Sequence, residues 1–86
     1  MFTVKCADDW GYFFDRLDNS EKEKIAKKID RLAFPLKARH LRHSLPYFVV
    51  EAGQYRIVFE QTGNTRILVF VGNHKQYEKW PLEHRL

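Results

Sequence analysis

One arginine lies inside an apolar strand pattern, where its guanidinium needs a specific partner. The segment Gly53–Glu60 starts at a turn residue and continues with side chains that favour β-strands. Side chains alternate across a strand, so Arg56 shares one face with Val58 and Glu60. A guanidinium at such a position reaches an edge, pairs with Glu51 or Glu60, or binds an anion. We favour anion binding because other cations and aromatic rings cluster near this strand.

These cations and rings lie at the ends of the predicted strands and in the adjoining loops. Three precede the strands and four follow the last one: Arg39, Arg42 and His43, then His74, Lys75, Tyr77 and Trp80. Cations grip phosphates and aromatic rings stack on bases, so together they predict an RNA-binding surface. Each also has a plain structural interpretation, as a surface histidine for His74 and as cover for the core for Tyr77 and Trp80.

Composition restricts the possible function classes. The 86 residues form one domain, residues 1–86, in which 15 Lys and Arg against 11 acidic residues give a net charge of +4. This excess favours an acidic partner such as nucleic acid. The single Cys6 forms no internal disulfide, and the four histidines lack the i, i+4 spacing of helical zinc ligands. We therefore predict no metal and no other cofactor.

The sequence gives no sign of membrane insertion or secretion. It has no run of about 18 apolar residues, and no charged-then-apolar signal peptide opens it. We expect a cytoplasmic protein without a membrane partner.

Apolar spacing predicts two helices after an N-terminal strand over Met1–Cys6. The first helix has one apolar face at i, i+3, i+4 and i+7, formed by Trp10, Phe13, Phe14 and Leu17. The second begins at a capping box of Ser20 and Glu23 and ends before Pro35. A short polar turn joins the two, which predicts an antiparallel helical hairpin.

Three strands follow a basic loop over Leu36–Pro46. They are joined by glycine-containing turns, which makes them antiparallel neighbours, and they cover Tyr47–Glu51, Tyr55–Gln61 and Thr65–Val71. One helical turn over Gln76–Trp80 then precedes Pro81. The predicted fold class is α+β: an N-terminal strand, a two-helix antiparallel hairpin, a three-stranded antiparallel meander and a short C-terminal turn.

Several local patterns resemble the RelE/ParE superfamily of toxins from toxin–antitoxin systems. The resembling segments are Pro35 with Ala38–Arg42, the Gly-x-Tyr-Arg hairpin within Val50–Phe59, the apolar last strand, and Val71–Tyr77. The resemblance covers nearly the whole chain. The Gly-x-Tyr-Arg hairpin combined with the Val-Gly-x-His ending is more specific than either pattern alone.

The resemblance to the RelE branch implies that the chain is the toxin of a type II toxin–antitoxin system. It also implies that the toxin cleaves mRNA in the ribosomal A site and needs no metal for this reaction. In this chemistry a 2′-hydroxyl attacks the adjacent phosphate and displaces the 5′-oxygen. By resemblance, Arg56 binds the phosphate and His74 carries a proton or clamps the substrate. The late aromatic residue of the family matches either Tyr77 or Trp80. The implied RNA-binding residues are Arg39, Arg42, His43, Lys75 and Trp80.

The resemblance also implies protein and ribosome partners. A cognate antitoxin would offer an extended or helical segment with acids for the basic cleft. We expect it to cover the helices or the sheet and to displace Tyr77–Leu86. The remaining implied partners are mRNA and the ribosome with its RNA.

The chain departs from the family at the strand Tyr47–Glu51, which has no lysine where RNA-cleaving members often carry lysines. Glu51, His43 and His74 are then the candidates for the proton transfers. Other functions stay open: a ParE-like gyrase inhibitor, a catalytically degenerate RelE-fold domain that binds RNA or protein, and a structural domain.

Overall fold

The chain folds into one five-stranded mixed sheet with helices packed on both faces. The computed structural model describes residues 1–40 and 46–84, with the backbone alone for residues 81–84. The elements are β1 Thr3–Cys6, α1 Trp10–Phe14, α2 Asn19–Arg31, β2 Arg39–His40, β3 Tyr47–Ala52, β4 Tyr55–Thr62, β5 Thr65–Asn73 and α3 His74–His84. The α+β class is confirmed. No helix in the described ranges is long and apolar enough to cross a membrane.

The strand β4 lies at the centre of the sheet, whose order is β1-β5-β4-β3-β2. The predicted antiparallel meander of β3, β4 and β5 is confirmed. Gly53 and Gly63 make its two turns at φ of 63° and 59°, a left-handed backbone that suits glycine. The sheet is wider than the meander because β1 pairs in parallel with β5 and β2 pairs antiparallel with β3.

Side-chain alternation along β4 divides the core between the two faces of the sheet. Ile57 and Phe59 are fully buried and pack in one cluster with Ile25 of α2. Val58 points the other way and packs in a second cluster with Trp80 of α3. Burying each such side chain contributes about 1.5–3 kcal/mol, so the central strand holds both helices. Arg56, two residues before Val58, lies on the α3 face.

The predicted helical hairpin is wrong. α1 ends at Phe14 after five residues, and its Phe13 packs edge-on against Phe70 of β5 with the ring centroids 5.0 Å apart. α2 packs across β3 instead, so the two helices dock separately on the sheet. Leu17 falls in the turn after α1 and still packs against the core. Its spacing therefore marks burial and not a longer helix.

The capping box of α2 also differs from the predicted pair of Ser20 and Glu23. Asp18 is the N-cap, and its Oδ1 accepts from the Glu21 amide at 2.8 Å. Glu21 Oε1 accepts in return from the Asp18 amide at 2.9 Å. The helix starts earlier than predicted because this reciprocal pair satisfies two otherwise unpaired amides.

Two segments predicted as irregular or short are regular elements. Part of the basic loop, Arg39–His40, is the strand β2. The predicted short C-terminal turn is wrong, since α3 has 11 residues and continues through Pro81. A reciprocal cap starts this helix: the Gln76 amide donates to Asn73 Oδ1 at 2.9 Å, and the Asn73 amide donates to Gln76 Oε1 at 2.8 Å.

Arg66 is the buried cation that fixes the end of α2 to the sheet. It is 4% exposed, and its Nη1 donates to the carbonyls of Leu32 and Phe34 at 2.9 and 3.1 Å. These carbonyls follow the last turn of α2 and lack helical partners. The guanidinium also lies 3.6 Å from the Phe2 ring centroid. Burial lowers the pKa of Arg66, because it removes water from the charged guanidinium. The two carbonyls and the Phe2 ring stabilise the charge in place of water.

Tyr55 connects the start of β4 to the start of α2, because its hydroxyl donates to Glu21. This hydrogen bond is the main cause that raises the pKa of Tyr55 to about 12, and burial is the second. Since the pKa is higher in the folded state than the ordinary value of 10.0, the contact stabilises fully below pH 10. Its contribution is lost as the pH rises through about 12.

We therefore expect Tyr55→Phe to be less stable than the wild type at pH 8 by about 1 kcal/mol. The difference should close as the pH approaches 12, and urea unfolding across this range measures it. Tyr12→Phe is the matched control. Tyr12 is 66% exposed, so the loss of its hydroxyl group should leave the free energy of unfolding unchanged. A constant difference from pH 8 upward would contradict the assigned contact.

Candidate active site

Arg56 occupies the middle of the sheet on the α3 face, between two unlike neighbours. It faces Glu51 on β3 and Gly72 on β5. Its Nη2 donates to Glu51 Oε2 at 3.4 Å, so the Glu51 pairing considered from the sequence is present. The Arg56 side chain is 20% exposed and that of Glu51 64%. The guanidinium is thus recessed while its acidic partner extends into solvent.

Gly72 leaves the space into which the first turn of α3 folds back over β5. A Cβ at this position would lie 2.7 Å from Phe70 Cζ and 2.8 Å from Gln76 Oε1, closer than van der Waals contact allows. Gln76 fills this space and caps the helix from it. α3 can therefore begin directly after β5, which brings His74 to Arg56.

His74, the first residue of α3, binds Arg56 through its Nδ1. A guanidinium has donors only, so Nδ1 accepts, and the proton of the neutral ring lies on Nε2. Nε2 lies 3.0 Å from Oε2 of Glu78, one helical turn later. A chain of four side chains therefore runs from Glu51 through Arg56 and His74 to Glu78.

Tyr77 lies between two arginines. Arg39 of β2 donates from Nη2 to the Tyr77 hydroxyl at 3.4 Å. The guanidinium of Arg56 lies 5.1 Å from the centroid of the Tyr77 ring. Because Arg39 occupies a lone pair of the hydroxyl oxygen, the hydroxyl proton of Tyr77 can still be donated to a substrate. Arg56, His74, Tyr77 and Arg39 thus form one cluster.

A cavity of about 610 Å³ opens beside this cluster, with a lining that includes Glu51, Gln54, Tyr55, Arg56, His74 and Lys75. Its volume suits a small ligand or a nucleotide. Lys75 is exposed and adds a cation to the rim. Arg56 Nε is buried and has no hydrogen-bond partner in the described ranges, which costs about 1–3 kcal/mol. An anion that drew the guanidinium outward would supply the acceptor.

Of the predicted RNA-binding residues that the structure describes, Trp80 is not part of this cluster. Trp80 is 6% exposed and packs against Phe70 and Tyr47, so its ring belongs to the core and offers no open face to a base. Arg42 and His43 lie outside the described residues. Among the residues that are described, no three potential metal ligands from His, Cys, Asp and Glu come together.

Sequence reasoning missed Glu78 and the role of Gly72. The signal for Glu78 is its i, i+4 spacing from His74, which counts only if both lie on a helix. The Asn73-x-x-Gln76 pattern of a capping box is the signal that extends the helix back to His74.

Solved toxin structures share this fold. A chain of the RelB–RelE antitoxin–toxin complex from Methanococcus jannaschii matches with a TM-score of 0.72 and 18% identity, over 90% of this chain and 98% of that chain. A chain of the RelBE2 toxin–antitoxin complex from Mycobacterium tuberculosis matches with a TM-score of 0.73 and 18% identity, over 85% of this chain and 98% of that chain. The isolated E. coli RelE toxin matches with a TM-score of 0.69 and 16% identity, over 100% of both chains. No protein-family model and no curated protein matches the chain.

At these identities the likeness establishes the fold, which is that of the RelE toxins. The five-stranded sheet and separately docked helices replace the simpler arrangement predicted from the sequence.

We expect Gly72→Ala to lower the free energy of unfolding by about 1–3 kcal/mol, because the added methyl group displaces Gln76 or Phe70. Gly11→Ala in α1 is the control, since its Cβ would meet only Asp15 Oδ2, at 3.9 Å. That change should be neutral or stabilising by up to about 1 kcal/mol. Urea unfolding followed by tryptophan fluorescence compares the two, and equal stabilities would refute the close packing at Gly72.

Proposed function

We propose that the chain is the toxin of a type II toxin–antitoxin system and a ribosome-dependent endoribonuclease that cleaves mRNA and so inhibits translation. Two findings support this proposal: the fold shared with RelE and the cluster of Arg56, His74 and Tyr77. The cation and the proton carriers of the reaction are side chains of this cluster.

The observation that carries the proposal is the recessed guanidinium of Arg56, in contact with two groups that can transfer protons. When a 2′-hydroxyl attacks phosphorus, negative charge increases on the non-bridging oxygens. The two-pronged guanidinium suits a pair of such oxygens. Its partial burial strengthens the attraction, because less water competes.

A substrate phosphate has to replace Glu51 at Arg56. The pair is open to solvent on the Glu51 side, where ion pairs contribute about 0–1 kcal/mol. Charge-assisted hydrogen bonds to a phosphate contribute about 1.5–3 kcal/mol. The exchange therefore favours the substrate, and Glu51 acts as a weak placeholder.

The proton transfers follow from the hydrogen-bond directions in the cluster. Once Arg56 turns to the phosphate, the Nδ1 lone pair of His74 takes the proton of the 2′-hydroxyl. Glu78 stabilises the resulting imidazolium through Nε2. Tyr77 donates its proton to the leaving 5′-oxygen, and Arg39 stabilises the phenolate. The 2′-oxygen–phosphorus bond forms and the bond to the 5′-oxygen breaks, which leaves a 2′,3′-cyclic phosphate and a 5′-hydroxyl.

The flanking cations have the complementary task of holding RNA. Arg39 and Lys75 lie at the rim of the cluster, and we assign them to phosphates of mRNA or ribosomal RNA. Arg42 and His43 are proposed for the same task from the sequence. Trp80 is left out of this surface because it is buried.

Arg56→Ala should reduce cleavage of ribosome-bound mRNA at least about 100-fold, because it removes the group that neutralises the transition state. Arg56→Lys keeps the charge without the two-pronged geometry, so its cleavage activity should lie between those of Arg56→Ala and the wild type. Arg31→Ala, at an exposed position of α2, is the control with the same loss of charge.

Primer extension on mRNA in translating ribosomes measures this cleavage, with circular dichroism as the check on folding. Intact mRNA in the presence of the folded wild type would overturn the proposal. Inhibition of gyrase by the same preparation would then indicate a ParE-like activity.

The proposed protein partner is an antitoxin, as in the RelB–RelE and RelBE2 complexes. A net charge of +4 and the exposed cations Arg39 and Lys75 suit an acidic segment. We propose that this segment displaces α3, because Tyr77 and His74 of this helix cover Arg56, the cation with which an acid of the segment would pair.

Hydrogen exchange tests this after co-expression with the product of the adjacent gene. Amides of α3 should exchange faster in the complex than in the free chain, while those of β4 stay protected. Unchanged α3 amides together with an accessible Arg56 cavity would contradict the displacement.

A further inference from the structure

A second cavity, of about 410 Å³, lies between α1 and α3 and is separate from the Arg56 cavity. Its apolar floor is formed by Phe13 and Phe70. Its rim carries two cations, Arg16 and Lys79, and one acid, Asp9. The proposed chemistry uses none of these residues.

The rim combines charge with an exposed aromatic ring. Tyr12 is 66% exposed, and the guanidinium of Arg16 lies 5.3 Å from the centroid of its ring. Neither Arg16 nor Lys79 forms an ion pair with any described residue. Two uncompensated cations beside an open aromatic ring attract a ligand that has both an anionic and a flat part.

The first turns of α3 separate this cavity from the Arg56 cavity. His74 and Lys75 line the Arg56 side, whereas Gln76 and Lys79 line the α1 side. The residues on the two sides are neighbours in one helix, with a rise of about 1.5 Å per residue. A single strand of RNA that crosses the start of α3 therefore reaches both cavities.

We propose that the cavity between α1 and α3 binds a nucleotide of single-stranded RNA that flanks the cleaved one. Arg16 and Lys79 hold its phosphate, and the base stacks on the exposed part of the Tyr12 ring, which Phe13 supports edge-on. Asp9 accepts a hydrogen bond from an amino group of the base. The inference deepens the proposed function, because it assigns a second contact to the same RNA substrate.

An acidic peptide is the competing occupant, since it would also use both cations. The exposed ring favours RNA, because stacking on Tyr12 adds nothing for an aspartate or glutamate side chain. The two ligands thus differ in their dependence on Tyr12.

The test compares 2′-O-methyl RNA of two and of five nucleotides, which cannot be cleaved because the attacking hydroxyl is blocked. The dinucleotide fills the Arg56 cavity alone, so the pentanucleotide should bind about tenfold more tightly in fluorescence anisotropy. Arg16→Gln with Lys79→Gln should abolish this gain and reduce the salt slope by about 0.7, the value for one phosphate of a single strand. Lys24→Gln with Lys27→Gln, on the exposed face of α2, is the charge-matched control and should retain the gain.

The tyrosine provides the second arm. Tyr12→Ala should bind the pentanucleotide about tenfold more weakly than the wild type and the dinucleotide with unchanged affinity. Tyr12→Phe should bind both with the affinity of the wild type. Equal affinity of the two lengths for the wild type overturns the inference. Tight binding of a decaglutamate peptide that needs Arg16 and Lys79 but not Tyr12 overturns it in favour of a peptide site.

The outcome is separable from that of the proposed function. If the pentanucleotide gain depends on Arg16, Lys79 and Tyr12 while the wild type leaves ribosomal mRNA intact, the binding site stands and the catalytic proposal fails. If mRNA is cleaved but the gain is absent, the catalytic proposal stands and this site fails.

Discussion

The packing of Trp80 against the sheet is the contact on which the candidate site depends. Its ring centroid lies 5.4 Å from that of Phe70 and 5.9 Å from that of Tyr47, and the side chain is almost fully buried. This contact holds α3 across the sheet face that carries Arg56. One turn earlier in the helix, Tyr77 lies over the guanidinium, and His74 reaches it from the first turn. A buried residue outside the cluster thus sets the geometry of the cluster.

Charge in the site is shared so that each group has a weak internal partner. Arg56 pairs with the exposed Glu51, and the Nε2 of His74 donates to the exposed Glu78. Exposed pairs of this kind contribute little to stability, so a phosphate can replace them at small cost. Arg66 is the opposite case, because it is buried and held by carbonyls and rings. Arg56 can therefore exchange its partner for an anion, whereas Arg66 is fixed in the core.

The sequence was informative where local patterns decide the structure. The meander was predicted from alternating apolar residues and two glycine turns. The alternation of side chains along the strand was enough to place Arg56 on the same face as Val58. Tertiary contacts decided the rest. The aromatic spacing suited a helix through Leu17, but α1 ends at Phe14, and the apolar residues on both sides of that end pack on the core. Trp80 has the type of a base-stacking residue, and only the docking of α3 shows that it belongs to the core.

The absence of lysines on β3 has a structural reason. The β3 positions that share the Arg56 face are Tyr47, Val49 and Glu51, given their pairing with Glu60, Val58 and Arg56. Val49 is 4% exposed and packs in the cluster with Trp80. A lysine there would bury an ammonium without a partner, at a cost of several kcal/mol. The strand is apolar because it is covered on both sides: Val49 packs in the cluster with α3, and Val50 packs in the cluster with α2. The exposed cations near Arg56 lie instead on the elements around this strand, Arg39 on β2 and Lys75 on α3.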